Sequence, residues 1–332
     1  MISNYLLVDP TLGTFIVYMI QGEARRFDEW SQLFDKIGSS ARLIYLSFDK
    51  PLSGVVYAPN STWNTGRNLL LTNAFKTSKK AKYFVALDGD MMLNCAQSGF
   101  QCMDCYYNYE CWYDFHRLLL EQHETSQILK PDGGFDGRAP YPRSLTCTDL
   151  CFLAIPNHLL YLFYPITTSY QTYSWHVSYH VQVNIMQMCA KYSVLTLPEF
   201  RLWNTGHLKY PRKSGNDHRG NNGRKFSLRK LTKNTLKKDF PSFKWTEMSW
   251  FPKMNKDTCP KFPPMRTYRN HPSKPYHPLA NYTAAHASFL RHQENEDREI
   301  KDMCTVVLYT RFRNWIDSNT TTTTTKYVDW WI

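Results

Sequence analysis

Hydrophobic and polar residues predict strands and helices in turn over the first ninety residues. Runs of β-branched and aromatic residues predict strands at residues 13–20, 41–48 and 81–87, with a short extended piece at 54–57. Between them, apolar residues recur at helical spacing over residues 24–37 and 66–77. Strands that alternate with helices predict an α/β fold with a mostly parallel sheet flanked by helices.

The pattern becomes less regular further along the chain. Residues 150–155, 192–197 and 305–309 are predicted as strands, and residues 178–190 as a helix. Prolines are too dense for regular structure from residue 252 to residue 278, and a run of Thr residues lies near the end. We therefore predict an α/β domain at residues 13–213 and a partly irregular, proline-rich extension with a low-complexity tail at residues 214–332.

The positive charge is concentrated in one segment. The 332 residues carry a formal net charge of +12, and residues 208–274 alone contain 18 Lys+Arg against 4 Asp+Glu. The α/β part is therefore close to neutral. Hydrophobic residues make up 42% of the chain, which supplies a core and excludes a disordered or collagen-like protein. No run of about 18 apolar residues occurs, so we predict no membrane span.

Polar segments follow three of the predicted strands. They are Gln21-Gly22-Glu23, Asp49-Lys50 and Asp88-Gly89-Asp90. Ligands of such sheets bind beyond the carboxyl ends of the strands, so these segments are candidate site residues. Two carboxylates separated by one glycine can converge in a tight turn, where a divalent cation relieves their repulsion. The alternative is an ordinary polar turn.

The order of these motifs resembles that of the GT-A-fold glycosyltransferases. Asn64-Thr65-Gly66-Arg67-Asn68 opens a predicted helix, and Leu87-Asp88-Gly89-Asp90 ends the next strand. The resemblance spans about residues 13–213 and does not identify a sugar-specific family. It implies a GT-A-like sheet and a metal-dependent enzyme that moves a sugar from a nucleotide-diphosphate sugar to a hydroxyl of a glycan, protein or lipid acceptor.

The resemblance also implies roles for particular residues. Asp88 and Asp90 would hold Mn²⁺ or Mg²⁺, and His207, after the predicted strand at residues 192–197, would complete the metal shell. The alternative for His207 is a surface histidine at the edge of the basic segment. The implied nucleotide contacts come from the loop and strand ends, namely Gln21, Gly22, Asp49, Arg67 and Asp88. An Arg at a helix start reinforces a phosphate site.

The residue that would act as general base departs from the family pattern. GT-A enzymes usually place that acid in an x-Glu-Asp segment at a later helix start, and the corresponding residues 172–177 contain no carboxylate. Asp149 is our candidate catalytic residue. Another acid, His176 or His180 could serve instead, the enzyme could be retaining and need no base, or activity could be lost.

Two other functions compete with the transferase hypothesis. A nucleic-acid-binding protein would explain the basic segment at residues 208–274, with its interleaved aromatic residues, but leaves the Asp-Gly-Asp turn unexplained. Because the charge is local, it is weak evidence for such a partner. A catalytically inactive GT-A-like protein would explain the missing acid.

The compartment and the cysteines are linked questions. We expect a soluble chain that lies in the Golgi or ER lumen if an N-terminal anchor is missing from this sequence, and in the cytoplasm otherwise. Four of the nine cysteines cluster within a short stretch, namely Cys95, Cys102, Cys105 and Cys111. They could form disulfides in an oxidising compartment or remain thiols in the cytosol.

Overall fold

The structure, a computed structural model, describes residues 15–95, 109–121, 128–133, 152–168, 194–204 and 298–321. The described strands are β1 (Ile16–Gly22), β2 (Ala41–Ser47), β3 (Val56–Tyr57), β4 (Tyr83–Asp88), β5 (Met91–Cys95), β6 (Ile128–Gly133), β7 (Phe152–Pro156) and β8 (Val194–Asn204). The described helices are α1 (Phe27–Ile37), α2 (Trp63–Ser78), α3 (Tyr109–Glu121), α4 (Leu160–Phe163) and α5 (Arg298–Thr321).

These strands form one sheet in the order β3-β2-β1-β4-β7-β6-β8-β5. Strands β7 and β5 run against the other six, which share one direction. The predicted mixed α/β fold with a mostly parallel sheet is therefore confirmed. The chain order reverses at β1, because β2 and β3 lie on one side of it and β4 lies on the other. A reversal of this kind opens a crevice at the carboxyl ends of the two central strands.

Strand β1 lies inside the sheet, between β2 and β4, and is buried on both faces. All seven of its residues are buried. Val17 and Met19 belong to the core formed with α2, α4 and α5, whereas Tyr18 and Ile20 belong to the core formed with α1 and α3. A strand covered on both faces needs an unbroken hydrophobic run, which is why its sequence does not alternate.

The first two helices begin and end at residues whose chemistry explains their bounds. Helix α1 ends before Gly38, whose φ of +98° is a left-handed conformation that glycine adopts without strain. Helix α2 begins at Trp63, three residues before the predicted start, because Thr62 and Thr65 form a reciprocal capping box. This earlier start places Trp63 one turn before Arg67.

The strand predicted at residues 305–309 is wrong, since these residues lie inside α5. The side chains of Leu308, Phe312 and Ile316 recur every four residues and are buried against the core. Phe312 packs edge-on against Phe75 of α2, with ring centroids 6.0 Å apart. Part of the predicted C-terminal extension therefore packs on helices α2 and α4 of the α/β part. The predicted boundary at residues 213–214 and the basic segment 208–274 lie outside the described residues.

The structure describes two of the four clustered cysteines and several helices that can be compared with a membrane span. Cys95 at the end of β5 and Cys111 in α3 form a disulfide, which ties this strand to the helix. Cys102 and Cys105 lie outside the described residues. None of the helices in the described ranges is both long and apolar enough to cross a membrane.

Helix α5 should contribute to folding stability through its buried stripe. We expect Phe312→Ala to lower the free energy of unfolding by about 3–5 kcal/mol, because it removes a buried aromatic ring from the core. Val306→Ala, at a residue of the same helix that is 48% exposed, should change it by less than about 0.5 kcal/mol. Urea unfolding measures both. Equal effects of the two substitutions would show that α5 is not part of the core.

His116 of α3 is a buried histidine with both ring nitrogens bonded. Its Nδ1 lies 3.0 Å from the Tyr18 hydroxyl, and its Nε2 lies 2.9 Å from Oγ of Ser40. The side chain is 2% exposed, and burial lowers the pKa of His116 to about 4. The imidazole is therefore neutral at pH 7 and packs in the core on the α1–α3 face of the sheet.

This histidine predicts a loss of stability in mild acid. The pKa of His116 in the folded protein lies below the ordinary value of 6.5. Its contribution to the free energy of unfolding is therefore complete above pH 6.5 and is lost as the pH falls toward 4. The full effect is roughly 3 kcal/mol. The difference in unfolding free energy between wild type and His116→Gln, measured in urea from pH 7.5 to pH 4.5, should shrink with acidification. A difference independent of pH would contradict this assignment.

Candidate functional site

The Asp88-Gly89-Asp90 turn lies at the end of β4, beside the last two residues of β1. Gln21 pairs with Asp88, and the Gly89 N–H donates to the Gln21 carbonyl at 2.8 Å, so the ladder between β1 and β4 continues into the turn. Trp30 of α1 donates its indole N–H to the Gly89 carbonyl at 3.1 Å. The turn is therefore held on both sides before the chain enters β5 at Met91.

Gly22 and Gly89 bring the two loops into backbone contact. A Cβ on Gly89 would lie 2.9 Å from Cα of Gly22 and 3.1 Å from the hydroxyl of Tyr45. Side chains at either position would force the loops apart, which explains the glycine between the two acids. The nucleotide contact expected of Gly22 stays a prediction, while the close packing of its backbone against the turn is an observed role.

Asp88 is the centre of a polar network under the crevice. Arg67 Nη2 and Trp63 Nε1 both donate to its Oδ1, at 2.6 Å and 2.9 Å. The Arg67 guanidinium also lies 4.8 Å from the centre of the Trp63 ring. The side chain of Arg67 is 2% exposed and that of Asp88 is 15% exposed. This is a largely buried ion pair whose carboxylate is fixed in orientation by two donors.

Trp63 is a site residue that the sequence reasoning missed. Trp63 and Arg67 are four residues apart on α2, so they lie on one face of the helix, and that face meets the end of β4. The capping box that starts the helix at Trp63 was the available signal. The structure presents Arg67 as the counter-ion of Asp88. The phosphate contact expected of Arg67 stays a prediction.

Asp90 is a carboxyl group with a strongly shifted pKa. Burial is the main cause, and the neighbouring Asp88 adds to it, so the pKa of Asp90 is raised to about 7. Arg26 favours the charged form and Glu23 opposes it, with smaller effects than these. Near neutral pH, ionisation of Asp90 beside the charged Asp88 therefore costs free energy. A proton or a cation offsets that cost.

Asp49 follows β2 and ties that strand end to the loop after β1. Its Oδ1 accepts hydrogen bonds from the Ala24 backbone N–H at 2.7 Å and from the Ser47 hydroxyl at 2.9 Å. Burial alone would raise the pKa of Asp49, but these hydrogen bonds outweigh it and lower the pKa. Asp49 is thus a charged acceptor at the rim of the crevice. Its predicted nucleotide contact is not tested by this geometry.

Gln21 lies beneath the N-terminal turn of α2. Its side chain is 1% exposed, and Nε2 donates to the Thr62 carbonyl at 3.3 Å. The amide presses against Gly66, where a Cβ would overlap it. Gly66 therefore lets the helix approach β1 closely enough for Arg67 to reach Asp88. The nucleotide contact expected of Gln21 stays a prediction beside this packing role.

Asp88 and Asp90 are the described residues that fit a divalent cation. The described ranges contain no group of three or more His, Cys, Asp or Glu side chains that could hold a metal ion. The predicted third ligand, His207, lies outside them, as do the candidate bases Asp149, His176 and His180. Mg²⁺ is commonly bound by one or two carboxylates together with substrate phosphates and water. The donor set fits a cation shared with a phosphate ligand.

Comparison of the sequence with models of known protein families and with curated proteins found no match.

The contact between Gln21 and Gly66 predicts a reciprocal pair of substitutions. Gly66→Ala should lower the free energy of unfolding by about 1–3 kcal/mol, because the new methyl group overlaps the buried amide. Adding Gln21→Ala removes that amide, so the double variant should be more stable than Gly66→Ala alone. A double-mutant cycle in urea measures the coupling. Additive effects would show that the amide does not set the distance between α2 and β1.

Proposed function

We propose that the protein is a metal-dependent glycosyltransferase with a GT-A-like fold. It would move a sugar from a nucleotide-diphosphate sugar to an acceptor hydroxyl of a glycan, protein or lipid. The observation that supports this most is the position and state of the carboxylate pair. Asp88 and Asp90 lie at the carboxyl end of β4, beside the reversal of strand order at β1, and the pKa of Asp90 is raised to about 7.

The residues around the crevice would have different roles in binding such a donor. Asp88 and Asp90 would hold Mn²⁺ or Mg²⁺, which, when bound, neutralises charge on the leaving diphosphate. Arg67 and Trp63 fix the orientation of Asp88. Asp49, charged and held at the end of β2, offers an acceptor for the hydroxyls of the nucleotide ribose.

Two further residues would complete the metal shell and supply the general base. His207 would supply a third metal ligand, and Asp149 would take the proton of the attacking hydroxyl if the reaction inverts configuration. Both residues lie outside the described residues, so they rest on the motif order in the sequence.

Asp90→Asn separates binding from stability more sharply than any change at Asp88. Because burial and Asp88 disfavour the charged form of Asp90, the neutral amide should leave the unfolding free energy at pH 7 unchanged or raise it. The same change should weaken Mn²⁺-dependent binding of UDP or GDP by about a hundredfold, since a ligand carboxylate is lost. Titration calorimetry with and without Mn²⁺, beside urea unfolding, measures both quantities.

Asp35→Asn is the matched control, since Asp35 is an exposed acid on α1 away from the turn. It should change neither binding nor stability. Nucleotide binding that ignores Mn²⁺, or that survives Asp90→Asn, would contradict the proposed site. Metal-independent binding to a polynucleotide with a steep salt dependence would favour the nucleic-acid alternative. Nucleotide-sugar binding without transfer to any acceptor would favour the inactive GT-A-like protein.

A further inference from the structure

The five residues after α4, residues 164–168, form a strap that lies against α2. One side chain of α2 holds the strap at its middle. The Asn68 amide accepts from the Ile166 backbone N–H at 2.8 Å and donates to the Ile166 carbonyl at 2.9 Å. Asn68 directly follows Arg67 in the chain, so the strap is fixed to the same turn of α2 that carries the ion pair.

Helix α5 also bonds the strap. Arg311 Nη2 donates to the Pro165 carbonyl at 2.6 Å. Arg311 is placed there by the buried stripe of its own helix, in which Leu308 and Phe312 flank it in sequence. The strap is thus held at two successive residues, by two hydrogen bonds between Ile166 and α2 and by one between Pro165 and α5.

The residue at the start of the strap belongs to the buried cluster that contains Trp63. Tyr164 is 1% exposed, and its hydroxyl is buried with no hydrogen-bond partner among the described residues. Burial raises the pKa of Tyr164 to about 12. Trp63 lies in the same buried cluster as Tyr164, and the centre of its ring is 4.8 Å from the Arg67 guanidinium. Tyr164 and Ile166 of the strap thus share a core with the Trp63 ring, against which the Arg67 side chain lies only 2% exposed.

We propose that Arg311 is a positioning residue for the Asp88 carboxylate, acting through the strap and Arg67. By bonding the Pro165 carbonyl it keeps Tyr164 packed in the cluster that contains Trp63, and water stays away from the guanidinium. An ion pair is stronger and better oriented where water is excluded. The consequence for cation binding rests on the proposed function, whereas the protection of Arg67 does not.

The first experiment tests that protection without any ligand. Phenylglyoxal modifies exposed arginines, and peptide mass spectrometry follows the rate at Arg67. Arg311→Met keeps the apolar stem but removes the donor, so Arg67 should be modified about tenfold faster than in wild type. Arg313→Met, at an exposed arginine of the same helix, should leave the rate unchanged. Arg311→Lys, which retains a donor, should restore most of the protection.

A stability control separates this role from general loosening. Leu33→Ala removes a buried side chain of α1, in the core on the opposite face of the sheet from the strap. It should lower stability at least as much as Arg311→Met while leaving Arg67 protected. The proposal is overturned if Arg311→Met leaves Arg67 at the wild-type rate, or if Leu33→Ala exposes Arg67 equally.

The second experiment measures Mn²⁺ affinity by the spin-resonance signal of the free ion. Arg311→Met should weaken the affinity by about tenfold, and Arg313→Met and Leu33→Ala should not. Unchanged affinity in Arg311→Met, with Arg67 exposed, would overturn the link to Asp88. If wild type binds no Mn²⁺, the proposed metal site fails, and the modification rate of Arg67 still decides whether Arg311 protects it.

Discussion

The buried ion pair between Arg67 and Asp88 is the interaction around which the described structure is arranged. Removing two charges from water costs several kcal/mol per ion, and the pair recovers this only with good geometry and additional hydrogen bonds. Here the two charged groups are 2.6 Å apart, and the Trp63 indole adds a hydrogen bond to Asp88. The ring of the same Trp63 lies 4.8 Å from the guanidinium. Such a pair is a poor source of stability compared with apolar packing. Its value lies in fixing one carboxylate at the end of β4.

The surrounding elements meet the requirements of that pair. The capping box at Thr62 starts α2 early enough to include Trp63 one turn before Arg67. Gly66 allows the helix to approach β1, and the backbone contact between Gly22 and Gly89 holds the turn against the end of β1. Asp90 then lies next to a carboxylate that is already anchored. A partly buried second acid beside the first breaks a rule of stable packing, and proteins accept such violations mainly at functional sites.

The sequence predicts the features that depend on local patterns. Continuous hydrophobic strands and helical spacing gave the elements up to residue 88 within a few residues, because β1 is buried on both faces and α1 on one. The turn of Asp88 and Asp90 could be found as well, since it follows a strand end. The ion pair could not, because Arg67 and Asp88 are 21 residues apart and meet only once α2 packs on the sheet.

Helix α5 likewise could not be predicted from a local pattern, and it packs against the distant helices α2 and α4. Over residues 305–309 alone, an alternating pattern favours a strand, and the stripe of Leu308, Phe312 and Ile316 becomes meaningful only when α2 and α4 are present to cover it. Because this stripe packs on α2, the helix that carries Trp63 and Arg67 is confined between the sheet and the C-terminal helix. The orientation of Asp88 therefore depends on packing of α2 against both the sheet and α5, and a change in either layer reaches the carboxylate through α2.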